Sequence, residues 1–448
     1  MSEAKRVVRR SVGKRVEAGA FNFTRDMIPT MNNGKAQPDF LVAYREKAWK
    51  AFETLELPKT TEEAWRRTDI RKLNTSLFNL TRSSESLPDV PRALLEPLAG
   101  EQHGGQITLT AENAEVFLDE AIAEQGVIFT DLKTAARKHP AILEKILGKL
   151  VRVDEDKFAA MTAALSSNGV LLYVPKGVDV AAPLHSVLWA PGAGQAYFSH
   201  VLVYIEEQAR ATFVHEYASP TESNQTLHGG IVEIHVGKAA NFTFVELQSF
   251  GRHVWNFTHE RASVGRDATF DWIYGAVGTH LTKNFSEVNL DGEGSTARWS
   301  GFYFTDEKQH LDHDTQQNHN APNTTSDLLF KGALEDESRS VWQGMIYVAP
   351  GAQKTDGYQH NPNLVLSRNA RGDSIPGLEI MADDVRCTHG STVGKIDETE
   401  LFYLKSRGIP QKEAERLIVE GFFDPIMQRI PFERVRERLA NAIIEKLK

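Results

Sequence analysis

The 448-residue chain has one cysteine, Cys387. That excludes an internal disulfide framework and fits a reducing compartment. It also excludes a four-thiolate metal site built from this chain alone. Long hydrophobic runs are missing too. A spanning helix needs roughly 18 apolar residues, and Gly169-Val-Leu-Leu-Tyr-Val174 is typical of the longest run here, so no membrane segment is expected. The N-terminus has no apolar core of the kind a secretory signal carries. Positive charge is not in excess, since the net charge is −9, and this gives no support to a nucleic-acid role. The chain has no G-x-x-x-x-G-K-[ST] loop, no G-x-G-x-x-G after a strand and no G-x-S-x-G elbow, so nucleotide binding by this chain is not expected. The thin catalytic inventory favours a binding or scaffold role.

A hydrophobic content of 41% in a chain of this length supports two or three cored domains. Residues 1–20 carry Lys5, Arg6, Arg9, Arg10, Lys14 and Arg15 against Glu3 and Glu17, and read as a solvated basic arm. Leu41, Tyr44, Ala48, Trp49, Phe52 and Leu55 recur at helical spacing, and Pro58 ends the pattern. Trp65-Arg-Arg-Thr-Asp reads as a packed tryptophan with snorkelling arginines. Residues 82–105 are rich in Ser, Pro and Gly and read as loop. Short strands are expected at Gln106–Thr110 and Glu115–Leu118, and helices at Asp131–Lys138, Ala141–Leu150 and Asp154–Ser167. The stretch 1–168 is therefore expected to be a mixed, mainly helical domain.

From Gly169 the pattern becomes β-rich, with short strand-like runs every 10 to 15 residues up to about position 393. A small-x-aromatic triplet returns at Ala211-Thr-Phe213, Ala240-Asn-Phe242, Ala268-Thr-Phe270 and Ala297-Arg-Trp299, at intervals of 29, 28 and 29 residues. The last three follow turns containing Gly237, Gly265, and Gly292 with Gly294. A fixed period with an aromatic and a turn in each unit is what stacked coils need, because one coil cannot bury its apolar face alone. The expected core over 169–393 is a β-solenoid, with an antiparallel sandwich as the competing architecture. Beyond it, 394–448 reads as helices. One covers Glu398–Arg407, one opens at Pro410 and is broken by Asp424-Pro425, and an amphipathic segment covers Pro431–Leu447. Such a unit can cap the open end of a solenoid or dock a partner.

Two stretches carry metal-ligating types. Cys387 and His389 are two apart, so on a strand they project to one face as a thiolate–imidazole pair suited to zinc, copper or iron. They are only two ligands, and the rest of a shell must come from another chain. The bland alternative is a buried thiol beside a turn histidine. His310-Leu-Asp-His-Asp-Thr-Gln-Gln-Asn-His319 reads as a polar loop, or as a strand presenting His310 and Asp312 to iron in an oxygenase-type site. Asp383-Asp384 would face opposite ways on a strand and make a poor acid–base pair. A carbohydrate-active β-helix enzyme remains a further alternative.

The blocks Lys331-Gly, Ser340-Val-Trp-Gln-Gly-Met-Ile, Gly351-Ala-Gln-Lys-Thr-Asp-Gly-Tyr-Gln and Asn363-Leu-Val-Leu-Ser367 stand in fixed order before Cys387-Thr-His389-Gly-Ser-Thr-Val-Gly. Over about residues 169–423 this resembles the SufB/SufD family, and the C-x-H-G form and Trp65-Arg-Arg-Thr-Asp look like its SufD branch. The resemblance implies a right-handed parallel β-helix flanked by helical regions, mainly β in class, in a component of the SUF machinery that assembles iron–sulfur clusters. It implies a scaffold, with ATPase activity in the partner SufC. It implies pairing with a SufB paralogue near the C-x-H-G segment, or with a second copy when alone. His389, and more weakly Cys387, would hold iron or a nascent cluster shared with SufB. SufC would dock on the C-terminal helices around Tyr403, Leu404, Arg407, Gly408 and Ile409. The expected location is the cytoplasm.

Overall fold

The computed structural model describes residues 21–29, 31–32, 35–80, 89–95, 103–110, 113–430 and 433–447. The basic arm at 1–20 and parts of the loop at 82–105 lie outside the described residues. Two ten-stranded sheets dominate, and from Asn168 to Gly394 the chain alternates between them. Within each sheet successive strands of this stretch pair in parallel, as Arg210–Ala218 with Asn241–Ser249 and Thr226–Val236 with Val254–Val264. This is a two-sided β-solenoid, mainly β as expected, flanked by helices at both ends of the sequence.

The solenoid takes in more of the chain than the β-like runs mark. His310–His319 is a full strand, paired with Leu281–Leu290 on one side and Arg339–Val348 on the other. Its polar composition reads as loop, but each residue is fixed by backbone pairing to both neighbours. The N-terminal region also contributes: Gly105–Leu109 extends one sheet in parallel, and Ala114–Leu118 and Ile128–Asp131 close the two sheets with antiparallel pairings. Antiparallel strands end the coil-to-coil register at this end.

The repeat is real but its register differs from the triplet spacing. Ala211 pairs with Phe242, Phe242 with Phe270, and Phe270 with Ala297. The stacked aromatics are therefore Phe213, Phe244, Trp272 and Trp299, two residues on from the triplet frame at one coil boundary and back at another. A slip of two keeps every side chain on its face, so the inward pattern survives. Trp272 and Trp299 stack with ring centroids 4.6 Å apart and 7° between planes.

The turns also obey a rule that the glycines only partly reveal. At one corner Gln208, Ala239, Asp267, Gly294, Asn323 and Lys354 all have positive φ, and the N–H of each bonds a carbonyl in the next coil. Most are not glycine. Gly237 and Gly292 serve a different need. A Cβ at Gly237 would lie 2.7 Å from the Glu206 carbonyl carbon, and one at Gly292 would lie 1.9 Å from Arg266 N. These glycines let neighbouring coils approach.

Both outer faces are covered. Helices Asp39–Thr54 and Lys157–Leu165 pack Trp49, Phe52 and Phe158 against Phe198, Trp255 and Phe257 of one sheet. Trp65 is buried in this cluster, as its motif suggests, while Arg66 stays exposed and ion-paired to Glu63. The Asp156 side chain caps the second helix, accepting from the N–H of Phe158 and Ala159. Glu233 ties the N-terminal region down by accepting three backbone N–H groups, from Gly148, Leu150 and Val151. The other sheet is covered by Gln411–Met427 and Glu433–Lys446, whose Val419, Phe423, Ile426, Val435, Leu439 and Ile443 meet Val245, Ile273, Phe302 and Phe304. The first of these helices runs through Pro425 instead of breaking there. Gly421, four residues earlier, sits where the ring would crowd a carbonyl, and the apolar face continues across the proline to Ile426. The C-terminal helices lie along the side of the solenoid, so they do not cap its end.

Candidate functional site

The last coil consists of Arg371–Ile380 and Val385–Gly394, and among the described residues each strand is hydrogen-bonded on one side only. No residue of either strand is buried. Its fringe carries exposed Leu378, Ile380, Met381 and Val393. The apolar core of the solenoid thus ends in an open cross-section with two unpaired edges, a form that favours addition of further strands.

Cys387 and His389 lie on the second of these strands. Ladder pairing places His389 at the end of a row of inward positions: Leu184, Phe213, Phe244, Trp272, Trp299, Leu328, Gln359 and His389. Cys387 ends the adjacent inward row through Phe270, Ala297, Ser326 and Gly357. The two residues share a face, as their spacing requires, and it is the face a further coil would cover. His389 is exposed and Cys387 half-buried among Ile346, Val348 and Ala352. Burial pushes the Cys387 thiol up, the Asp356 charge adds to this, and a hydrogen bond with the Gly357 backbone opposes it.

Sequence reasoning missed the residues beneath the pair. At Gly357 an added Cβ would stand 3.3 Å from Cys387 Sγ and 3.3 Å from His319 Nε2. The missing side chain leaves a small gap between thiol and imidazole. His319 is buried and bonded at both nitrogens, to Thr324 Oγ1 at 2.7 Å and Ser326 Oγ at 2.8 Å. Burial holds its imidazole down at about 4, so it is neutral near pH 7. Only the pairing of distant strands brings His319 here, and no local spacing could have announced it.

The rest of the His310–His319 segment is divided between faces by the period of two. His313 and His319 point inward, while His310 and Asp312 face the N-terminal segment. His310 Nε2 bonds Thr68 Oγ1 at 2.8 Å, Thr68 also donates to Asp312, and Asp312 pairs with buried Lys283 at 3.0 Å. These groups are consumed in fastening the Trp65–Thr68 segment, which removes the oxygenase-type reading. Among the described residues no group of three or more His, Cys, Asp or Glu is arranged to hold a metal ion. Asp383 and Asp384 sit in the turn between the last two strands, with the Asp384 carbonyl accepting from Lys354 N–H.

The C-terminal candidates lie on and just beyond helix Glu398–Ser406, which buries no residue. Tyr403 is exposed, with the Arg407 guanidinium 5.2 Å from its ring centroid, and Gly408 ends the helix at φ +86°. Leu404 and Ile409 are half-buried. Phe402, which the sequence reading passed over, is the most exposed large apolar residue among those described, at 72%. Helical periodicity alone does not tell a free face from a packed one. Among the described residues no helix is long and apolar enough to cross a membrane.

The SUF system FeS cluster assembly SufBD core domain matches residues 188–422, and the SufBD protein N-terminal region matches 30–185. The iron-sulfur cluster assembly protein SufD of Bacillus subtilis (strain 168) is 33% identical over 417 residues, covering 92% of this chain and 95% of the relative. SufB of the same organism is 27% identical over 427 residues, covering 92% and 90%. A SufBD family protein of Staphylococcus saprophyticus, SSP1857, is 26% identical over 418 residues, again covering 92% and 90%. The chain belongs to the SufBD family of SUF-system iron–sulfur cluster assembly proteins.

Proposed function

We propose that this protein is the SufD-type scaffold subunit of a SUF complex and that it performs no catalysis itself. Its open coil pairs with the matching end of a SufB paralogue, or with a second copy when the paralogue is absent. His389 supplies a nitrogen ligand to iron or a nascent cluster, handled as substrate, with the Cys387 thiol beside it. The partner supplies the remaining ligands, because two side chains fall short of the roughly four a closed site needs. The exposed helix Glu398–Ser406 and the residues after it, with Phe402, Tyr403, Leu404, Arg407, Gly408 and Ile409, dock the SufC ATPase. ATP-driven movement of that helix shifts the two solenoids and opens or closes the shared site. A cytoplasmic location is consistent with the single free cysteine.

One observation carries this reading. The inward rows of the solenoid end at Cys387 and His389 with nothing stacked on them among the described residues, on an apolar-fringed cross-section. The test is anaerobic co-purification of the chain with SufB and SufC, followed by iron and sulfide analysis and an absorption spectrum. His389→Ala is expected to leave the complex intact while its cluster content falls at least several-fold. Undiminished cluster content in the variant would remove His389 from the site, and no complex with either partner would remove the scaffold reading.

A further inference from the structure

The interior of the solenoid is not uniformly apolar. Glu246, on strand Asn241–Ser249 of one sheet, and Glu260, on strand Val254–Val264 of the other, both point inward and are fully buried. The two carboxyl groups face each other's sheets across the core, close enough for each to act on the other's ionisation. Among the described residues no Lys, Arg or His pairs with either.

The surrounding groups are unevenly shared. Glu260 accepts from Asn284 Nδ2 at 2.9 Å and from Ser286 Oγ at 2.7 Å, both on the strand Leu281–Leu290. Among the described residues Glu246 receives only the Trp272 indole N–H, at 3.3 Å. The other titratable groups facing the pair are the hydroxyls of Tyr217 and Tyr274, from the strands on either side of Glu246. Tyr217 OH is buried and has no hydrogen-bond partner among the described residues. His215, the ladder neighbour of Glu246, bonds Ser186 instead. Two carboxylates this close, with no cation and no water-like surroundings, cannot both stay ionised.

We propose that Glu246 and Glu260 hold one proton between them in the folded protein, with Glu246 the carboxylic acid that donates and Glu260 the carboxylate that accepts. The protein thus carries a built-in proton site at the centre of its core, far from the open end. Burial and then the Glu260 charge raise Glu246 well above the ordinary carboxylate range, while its donors counter the burial of Glu260. The unfolded chain releases this proton near 4.5. Stabilisation by the proton is therefore full below that value and is lost as pH rises through the folded value.

The test is urea unfolding of the full chain and two variants over a pH series. Glu246→Gln keeps an N–H donor toward Glu260 but has no proton to lose. The ratio of wild-type to E246Q unfolding constants is expected to climb by up to tenfold per pH unit above the ordinary carboxylate value. Glu260→Gln leaves the acid in place and is expected to retain the wild-type pH dependence. A flat wild-type to E246Q ratio overturns the proposal, and the reverse pattern in the two variants overturns the assignment of the proton. Infrared spectroscopy of the wild type is expected to show a protonated carboxyl band at pH 7, and absence of any such band overturns the proposal without a variant. If magnesium, calcium or manganese raises the melting temperature of the wild type and not of E246Q, the pair is a cation site and the proposal fails.

Discussion

Cys387 is poorly activated as a nucleophile in the isolated chain. Its thiol is half-buried, and burial with the nearby Asp356 charge favours the neutral form. Alkylation by iodoacetamide is therefore expected to follow a pH profile that inflects above the ordinary thiol value of 9.0. An inflection below it would mean that a cation or donor activates the thiol. Pairing with another chain is expected to slow the labelling further, because the face carrying Cys387 and His389 is then covered. That these two residues share a face was legible from their spacing alone. The gap at Gly357 and the histidine across it were not, because Gly357, His319 and Cys387 come from three separate coils.

At the scale of elements, the C-terminal helices divide into two kinds of surface. Phe423 is 1% exposed against Phe302, so Phe423→Ala is expected to destabilise the protein by about 3–5 kcal/mol. Phe402 is exposed, and Phe402→Ala is expected to change stability by less than about 0.5 kcal/mol. Urea unfolding of both variants checks the contrast, and the proposed docking role adds that only the second weakens SufC co-purification in a folded protein. The existence of these helices was legible in their apolar period, as was the solenoid in its repeat. The strand at His310–His319 was legible only as the second of two readings beside a polar loop, because its order comes from pairing to two neighbours and not from its own polar side chains. The path through Pro425 was hidden for a similar reason, since packing beyond the proline outweighs one lost hydrogen bond.

The whole molecule is built with several histidines sealed inside it. Burial holds His228, His310, His313 and His319 down at about 4 and His215 at about 3, against an ordinary value of 6.5. Each is neutral when folded and takes up a proton on unfolding below 6.5, so stability is full above that value and falls as pH drops. The loss approaches roughly 1.4 kcal/mol per pH unit for each such histidine. Circular dichroism against pH is expected to show cooperative unfolding between about pH 4 and 6, and a fold intact at pH 3.5 would contradict this. The proposed Glu246 proton acts in the opposite sense, its stabilisation being lost as pH rises. The sequence by itself determined the architecture and the pairing of a thiol with an imidazole, because a repeat of coils and a period of two are local patterns written along the chain. Tertiary structure alone decided which coil ends uncovered, which helices lie along the side, and which histidines meet Cys387 or fasten Thr68. Those outcomes depend on contacts between residues tens to hundreds of positions apart, and no window of the sequence contains both partners.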